Sequence, residues 1–282
     1  MSQSALLALL EQQKPASTAG FYLSEVRGLS AESWRVHTPK GDWIAREQTR
    51  HGAQLGGDRR REFRVLRQLS AAGLAPGPVG LCNQWLLVEW LDGSVATESQ
   101  FVDLLYNGEL AARLAALHHQ PRYGFPLPLK TLLARHWQNM CPARRTPTLL
   151  HHLKRWLSRP LPPAFILAPL HLDVHPGNLV QHAQNWHLID WEYAADGDIA
   201  LELAALFRAN TLTQERQQRF LAEYCRQWPN MSPRILSERI KQWLPWVDFL
   251  MLMWYEVRWQ QTRQTIFLQA ATPLRLRLGL PW

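Results

Sequence analysis

Short runs of alternating apolar residues dominate the first ninety positions, and helical spacing takes over after them. Gly20–Glu25 and Trp34–His37 flank the segment RGLSAES as the arms of a β-hairpin do. Lys40-Gly41-Asp42 supplies a turn into a third short strand, Trp43–Arg46. Phe63, Leu66 and Leu69 recur near helical spacing, so Arg59–Leu69 is predicted to be a helix with a basic outer face. AAGLAPGPVG ends it, and NQWLLVEWLDG then reads as a buried strand closed by Asp92-Gly93. Leu110–His118, Thr131–Trp137 and Leu149–Leu157 are predicted helices. NLVQ and WHLID form two strands joined by an Asn-containing turn, and the chain beyond Asp198 is helical, broken at Trp228-Pro229 and Leu244-Pro245. Asp198 precedes a strongly helical run and is expected to cap it. The pattern divides the chain into a strand-rich part, residues 1–90, and a helical part, residues 91–282.

Composition removes several classes of function. Cys82, Cys141 and Cys225 are odd in number and far apart, so neither a disulfide framework nor a cysteine zinc site is expected. The opening MSQSALLALLEQQKP lacks a basic region and a cleavage pattern, and reads as a short amphipathic helix ended by Pro15. No apolar stretch approaches the ~20 residues of a membrane span. A cytoplasmic protein without a membrane partner is expected. The net charge of +8 and fourteen tryptophans admit a nucleic-acid reading through the Arg59–Arg67 helix, but fit an anionic small ligand equally well.

The chemistry concentrates in LHLDVHPGN, Leu170–Asn178, and in HLIDWE just after it. His171, Asp173 and His175 alternate as metal ligands on a strand could, yet further His or Cys ligands for zinc do not follow. Asp173, Asn178 and Asp190 are instead oxygen donors suited to Mg²⁺. An aspartate that accepts a hydroxyl proton, an asparagine five residues later and a further aspartate on the metal form the phosphoryl-transfer pattern of kinases. His171 is placed to brace that loop.

HLDVHPGNL and LIDWEYAADGDIALELAAL resemble the aminoglycoside phosphotransferase/choline kinase family, and the likeness extends over nearly the whole chain. It implies an α+β, protein-kinase-like fold of two lobes, a small antiparallel-sheet N-lobe and a larger, mainly helical C-lobe. It also implies ATP and Mg²⁺ as cofactors, Asp173 as catalytic base, and Asn178 and Asp190 as metal ligands. GLSAESWRV is similar to the phosphate-covering loop, with Ser30 and Ser33 at its tip. Arg46 falls where the family has a lysine reaching the α- and β-phosphates, with Glu62 as its partner. LVEWLDG resembles the hinge, whose backbone around Glu89 and Leu91 holds the adenine. Two departures stand out: arginine replaces lysine at position 46, and the phosphate loop is poor in glycine.

Trp191, Glu192, Trp254 and Glu256 are candidate substrate contacts, since tryptophan faces and carboxylates attract organic cations. The runs around Asp173, Asp190 and WLPW…WYEVRWQQT are most similar to the bacterial branch of the family that acts on thiamine. That likeness implies a cationic, flat heterocyclic alcohol as substrate, handled by a monomer. Choline or ethanolamine, an aminoglycoside, and a kinase-like binding module are the competing readings.

Overall fold

The computed structural model describes residues 6–7, 9–11, 20–26 and 33–280. The chain divides into two compact units, Met1–Gln100 with Asp173–Ala194, and Phe101–Leu172 with Ala195–Trp282.

In the first unit, strands β1 (Tyr22–Val26), β2 (Ser33–His37), β3 (Trp43–Glu47), β4 (Pro78–Cys82) and β5 (Trp85–Glu89) form an antiparallel sheet in the order β1-β2-β3-β5-β4. Side chains alternate between its faces. Val36, Ala45, Trp85 and Leu87 occupy one face, where Leu6, Leu9 and Leu10 complete a dry cluster. The opposite face therefore receives Ser33, Arg35, Ile44, Arg46, Leu86 and Val88, with Ser33 and Leu86 directly across from Arg46. The described residues before β1 are helical at 6–7 and 9–11; the stop expected at Pro15 lies outside the described residues.

Helices α1 (Arg50–Leu55) and α2 (Arg59–Ala71) follow β3. The Asp58 side chain caps α2 by accepting from the Arg60 and Arg61 amides at 2.9 and 3.1 Å. α2 buries Arg59, Glu62, Val65, Leu66 and Leu69. AAGLAPGPVG, expected only to break the helix, also begins β4 with its last residues. As the edge strand, with Pro78 at its first position, β4 tolerates the missing donor. A smaller sheet, β6 (Ser94–Val95), β8 (Leu179–His182) and β9 (Asn185–Leu188), completes this unit. Its hairpin turns through Ala183 and Gln184, both at positive φ, and Asn185 opens β9 instead of making the turn.

The second unit holds most of α3 (Glu98–Tyr106), then α4 (Glu109–His118), α5 (Leu129–Asn139), α6 (Pro147–Ser158), α7 (Ile199–Ala209), α8 (Gln214–Cys225), α9 (Pro233–Thr262) and α10 (Thr265–Leu278). Strand β7 (Leu167–Leu170) pairs antiparallel with β10 (Ala195–Asp198). Asp198 caps α7 through the Ala200 amide and also accepts from the Phe165 amide and Trp243 Nε1. The break expected at Leu244-Pro245 does not occur: α9 runs thirty residues through Pro245. Proline costs this helix one backbone bond and a clash with the preceding turn. Ile240, Trp243, Trp246, Val247 and Phe249 are buried around it, and α9 packs on α5, α7, α8 and α10. That burial offsets the local cost.

Candidate active site

The loop after β7 is built by backbone constraint. Leu172 adopts a left-handed conformation, φ 68°, unusual for a bulky residue. Glu202 on α7 stabilises it: its fully buried carboxylate accepts from the His171 amide at 2.8 Å and the Leu172 amide at 2.7 Å. His118 Nε2 lies 3.2 Å from the same carboxylate, and His118 Nδ1 lies 2.6 Å from the Tyr224 hydroxyl. Burial alone would raise the Glu202 carboxyl, but the His118 bond, nearby positive charge and the Leu172 amide outweigh it and lower the pKa. His171 is itself completely buried.

Asp173 follows immediately, and Pro176–Asn178 form a single 3-10 turn. Asn178 Nδ2 donates to the Asp173 main-chain oxygen at 2.9 Å and to Asp173 Oδ2 at 3.0 Å. Both partners are acceptors, so the amide nitrogen must face them and Oδ1 is turned the other way. His175 Nε2 stands 3.7 Å from Asp173 Oδ2. Burial would lower His175, but Asp173, Asp190 and Glu98 prevail and raise its pKa.

Asp190 ends the β8–β9 hairpin, also at positive φ, 62°. Aspartate accepts this conformation more readily than most residues. Its Oδ1 accepts from Arg46 Nη2. Arg46 Nη1 donates to Glu62 Oε1 at 2.5 Å, so the expected Arg46–Glu62 pair is present. A second guanidinium, Arg59, donates through Nη1 to Glu62 Oε2 at 2.6 Å and sits with Nη2 3.1 Å from Glu192 Oε2. Arg46, Arg59, Glu62 and Glu192 are all buried. Burial works against the Arg46 charge, yet Asp190, Glu62 and Glu192 together raise its pKa. Burial first, and Asp190 second, raise the Glu192 carboxyl, while Arg59 and Arg46 pull it back.

The remaining candidates fall in different surroundings. Ser30 lies outside the described residues; Ser33 opens β2 directly opposite Arg46. At the end of β5 the Glu89 amide donates to Gly77 O and the Trp90 amide to Asp42 O, both at 2.9 Å. Successive amides approaching Leu91 thus face opposite edges of the sheet. Trp191 is buried and donates through Nε1 to Leu188 O at 3.1 Å. Glu192 belongs to the arginine cluster. In the second unit, Glu256 is wholly buried and accepts from Arg144 Nε at 2.5 Å and Arg275 Nη2 at 2.5 Å. Trp254 is partly exposed, with the Arg258 guanidinium 5.7 Å from its ring centre.

A strand-rich unit thus carries a base-like aspartate braced by an asparagine, together with a buried arginine bonded to a second aspartate. The sequence pattern of the phosphotransferase enzyme family matches residues 24–235, which include every one of these groups. The chain belongs to the phosphotransferase enzyme family. A thiamine kinase of Escherichia coli K12 is 42% identical over 211 residues, covering 75% of this chain and 73% of that protein. Among solved structures, choline kinase LicA from Streptococcus pneumoniae superposes with TM-score 0.72 at 17% identity, covering 92% of this chain and 93% of LicA. LicA in complex with AMP gives TM-score 0.73 at 17% identity, covering 92% of each chain. The fold of this phosphotransferase is therefore protein-kinase-like, an antiparallel sheet toward the N-terminus and a helical part toward the C-terminus.

Asn178 and Asp190 carry oxygen donors of the kind a hard divalent cation takes. Among the described residues, no group of three or more His, Cys, Asp or Glu is arranged to hold a metal ion. One carboxylate and one carboxamide oxygen are what Mg²⁺ takes when phosphates and water complete its shell. Among the described residues, no helix is long and apolar enough to cross a membrane.

Arg59, Glu202 and His118 are functional neighbours that the sequence pattern did not single out. A signal existed for Arg59: it lies seven positions before Leu66, on the stripe that α2 buries. Glu202 was visible as a lone charge in the apolar run ALELAAL.

Proposed function

We propose that this phosphotransferase moves the terminal phosphoryl group of ATP to the hydroxyethyl oxygen of thiamine, forming thiamine phosphate. The substrate assignment is supported by the 42% identity with the Escherichia coli thiamine kinase. The chemistry rests on one observation, the Asn178 amide held on Asp173 with its oxygen turned away.

In this reading Asp173 accepts the hydroxyl proton and orients the alcohol oxygen for in-line attack. His171 acts only through the buried loop that it occupies. Asn178 Oδ1 and the Asp190 carboxylate would hold Mg²⁺, which would supply charge stabilisation to the phosphates when bound. Arg46 grips phosphate oxygens from the sheet face it shares with Ser33, and Ser30 and Ser33 belong to the loop over the phosphates. Backbone groups from Glu89 to Leu91 receive the adenine edge. Among the substrate candidates, Trp254 keeps a partly open ring. Trp191, Glu192 and Glu256 support their surroundings from buried positions.

The test is a single assay with purified protein, ATP and Mg²⁺, offering thiamine, choline and an aminoglycoside in parallel. Mass spectrometry should detect thiamine phosphate and little of the other products. Phosphocholine as the dominant product would overturn the substrate. ATP consumption unaffected by every alcohol would overturn the kinase reading.

A further inference from the structure

We propose that Arg59 is a positioning residue for nucleotide binding, which occupies Glu62 and Glu192 so that Arg46 can exchange Asp190 for phosphate. The proposal rests on the nucleotide-binding part of the proposed function, not on the identity of the phosphate acceptor.

The geometry is specific. Glu62 gives one oxygen to each arginine, Oε1 to Arg46 and Oε2 to Arg59. Glu192 Oε2 lies 3.1 Å from Arg59 but 3.8 Å from Arg46. Asp190 is bonded by Arg46, through Nη2, while Arg59 places its two terminal nitrogens on Glu62 and Glu192. Arg59 is fixed from three further directions: it starts α2 behind the Asp58 cap, its amide donates to Gln48 Oε1 at 2.7 Å, and Nε donates to Glu47 O at 3.3 Å.

The direction of the contacts, not the net charge, is what the second arginine changes. With all groups ionised, Arg46 and Arg59 stand against Glu62, Glu192 and Asp190, leaving one net negative charge. A lone lysine facing Glu62 and Asp190 would leave the same balance. Arg59 and Glu192 are therefore an added ion pair that leaves the net charge unchanged. Their effect is directional. Without Arg59, Glu62 and Glu192 would both compete for Arg46 and draw its fork away from phosphate. With Arg59 in place, only the bond to Asp190 has to be given up, and Asp190 is the group with a second use.

The experiment measures ADP affinity by calorimetry, with and without Mg²⁺, alongside steady-state kinetics, for R59M, R59K, E192Q and the double variant R59M/E192Q. R59M should weaken ADP binding and raise the KM for ATP roughly tenfold, because an unbalanced carboxylate faces the phosphates. The KM for thiamine should stay within about threefold. R59K keeps the charge but cannot fork, and should weaken ADP binding by about three- to tenfold; it carries the test if R59M does not fold. The double variant restores the charge balance and should recover most of the affinity. A purely structural role predicts lowered melting temperatures with unchanged ADP affinity and no recovery in the double variant, and that result would overturn the proposal. If wild type phosphorylates no alcohol while ADP binding still depends on Arg59, the kinase reading fails and the proposal stands.

Discussion

The Asn178 amide nitrogen bridges two acceptors of Asp173, the main-chain oxygen at 2.9 Å and Oδ2 at 3.0 Å. One side chain thus fixes both the backbone and the carboxylate of the proposed base. In Asn178→Asp a carboxylate replaces the donor and faces Asp173 across the same gap. Like charges at that range resist joint ionisation. The acid limb of the kcat–pH profile should move to higher pH and kcat should fall at least about a hundredfold. An unchanged profile would remove Asn178 from its bracing role.

Asp173→Ala removes the proposed proton acceptor without touching the arginine cluster. Turnover should fall on the order of a thousandfold, while ADP affinity measured by calorimetry stays near the wild-type value. Substantial residual turnover would show that another group takes the proton.

Glu202→Gln replaces two acceptor oxygens by one and turns an amide N–H₂ toward backbone donors. Breaking such a buried charged network should cost about 3 kcal/mol, read from urea denaturation. The pH sign follows from the lowered carboxyl. Its stabilisation is present above the unfolded value of 4.5 and fades as pH falls below it, because the unfolded chain binds the proton more readily. The glutamine variant should lose that portion of the acid dependence.

Gly93→Ala tests a close approach of two backbones. A Cβ there would lie 1.9 Å from the Gln181 carbonyl oxygen. Neither backbone has a side-chain rotamer with which to yield, so a loss of at least about 2 kcal/mol is expected from the urea midpoint.

His152 accepts a hydrogen bond from Trp156 Nε1 at 2.6 Å through Nε2, which requires a neutral ring. Burial first, then Arg155 and His151, lower its pKa from the ordinary 6.5. The folded protein consequently binds fewer protons here than the unfolded chain, so stability declines as pH falls below about 6.5. His152→Leu should show a shallower decline between pH 7 and pH 5 in parallel denaturation curves.

The residues most legible in the sequence are those whose partners lie nearby along the chain. Asp173, Asn178 and Asp190 fall on one loop and its following hairpin, and Glu62 stands on the periodic helix that faces Arg46. Arg59 was hidden among three consecutive arginines, where composition suggests a solvated surface. Glu202 was missed because its partners are main-chain amides about thirty positions away, and a backbone group leaves no mark in the letters. Pro245 misled for a related reason. Its local preference is plain, and the burial that overrides it comes from helices far away in sequence.

Asp173 to Ala194 belongs with the strands of the first unit although residues 101–172, which belong to the second, come before it. Val95 finds its strand partner in Val180, ~85 positions further on. A chain released only as far as its first hundred residues therefore carries Arg46, Arg59 and Glu62 without Asp190 and Glu192. Such a prematurely terminated product would lack the proposed base, Asp173, and both proposed metal ligands, Asn178 and Asp190, and is expected to transfer no phosphate.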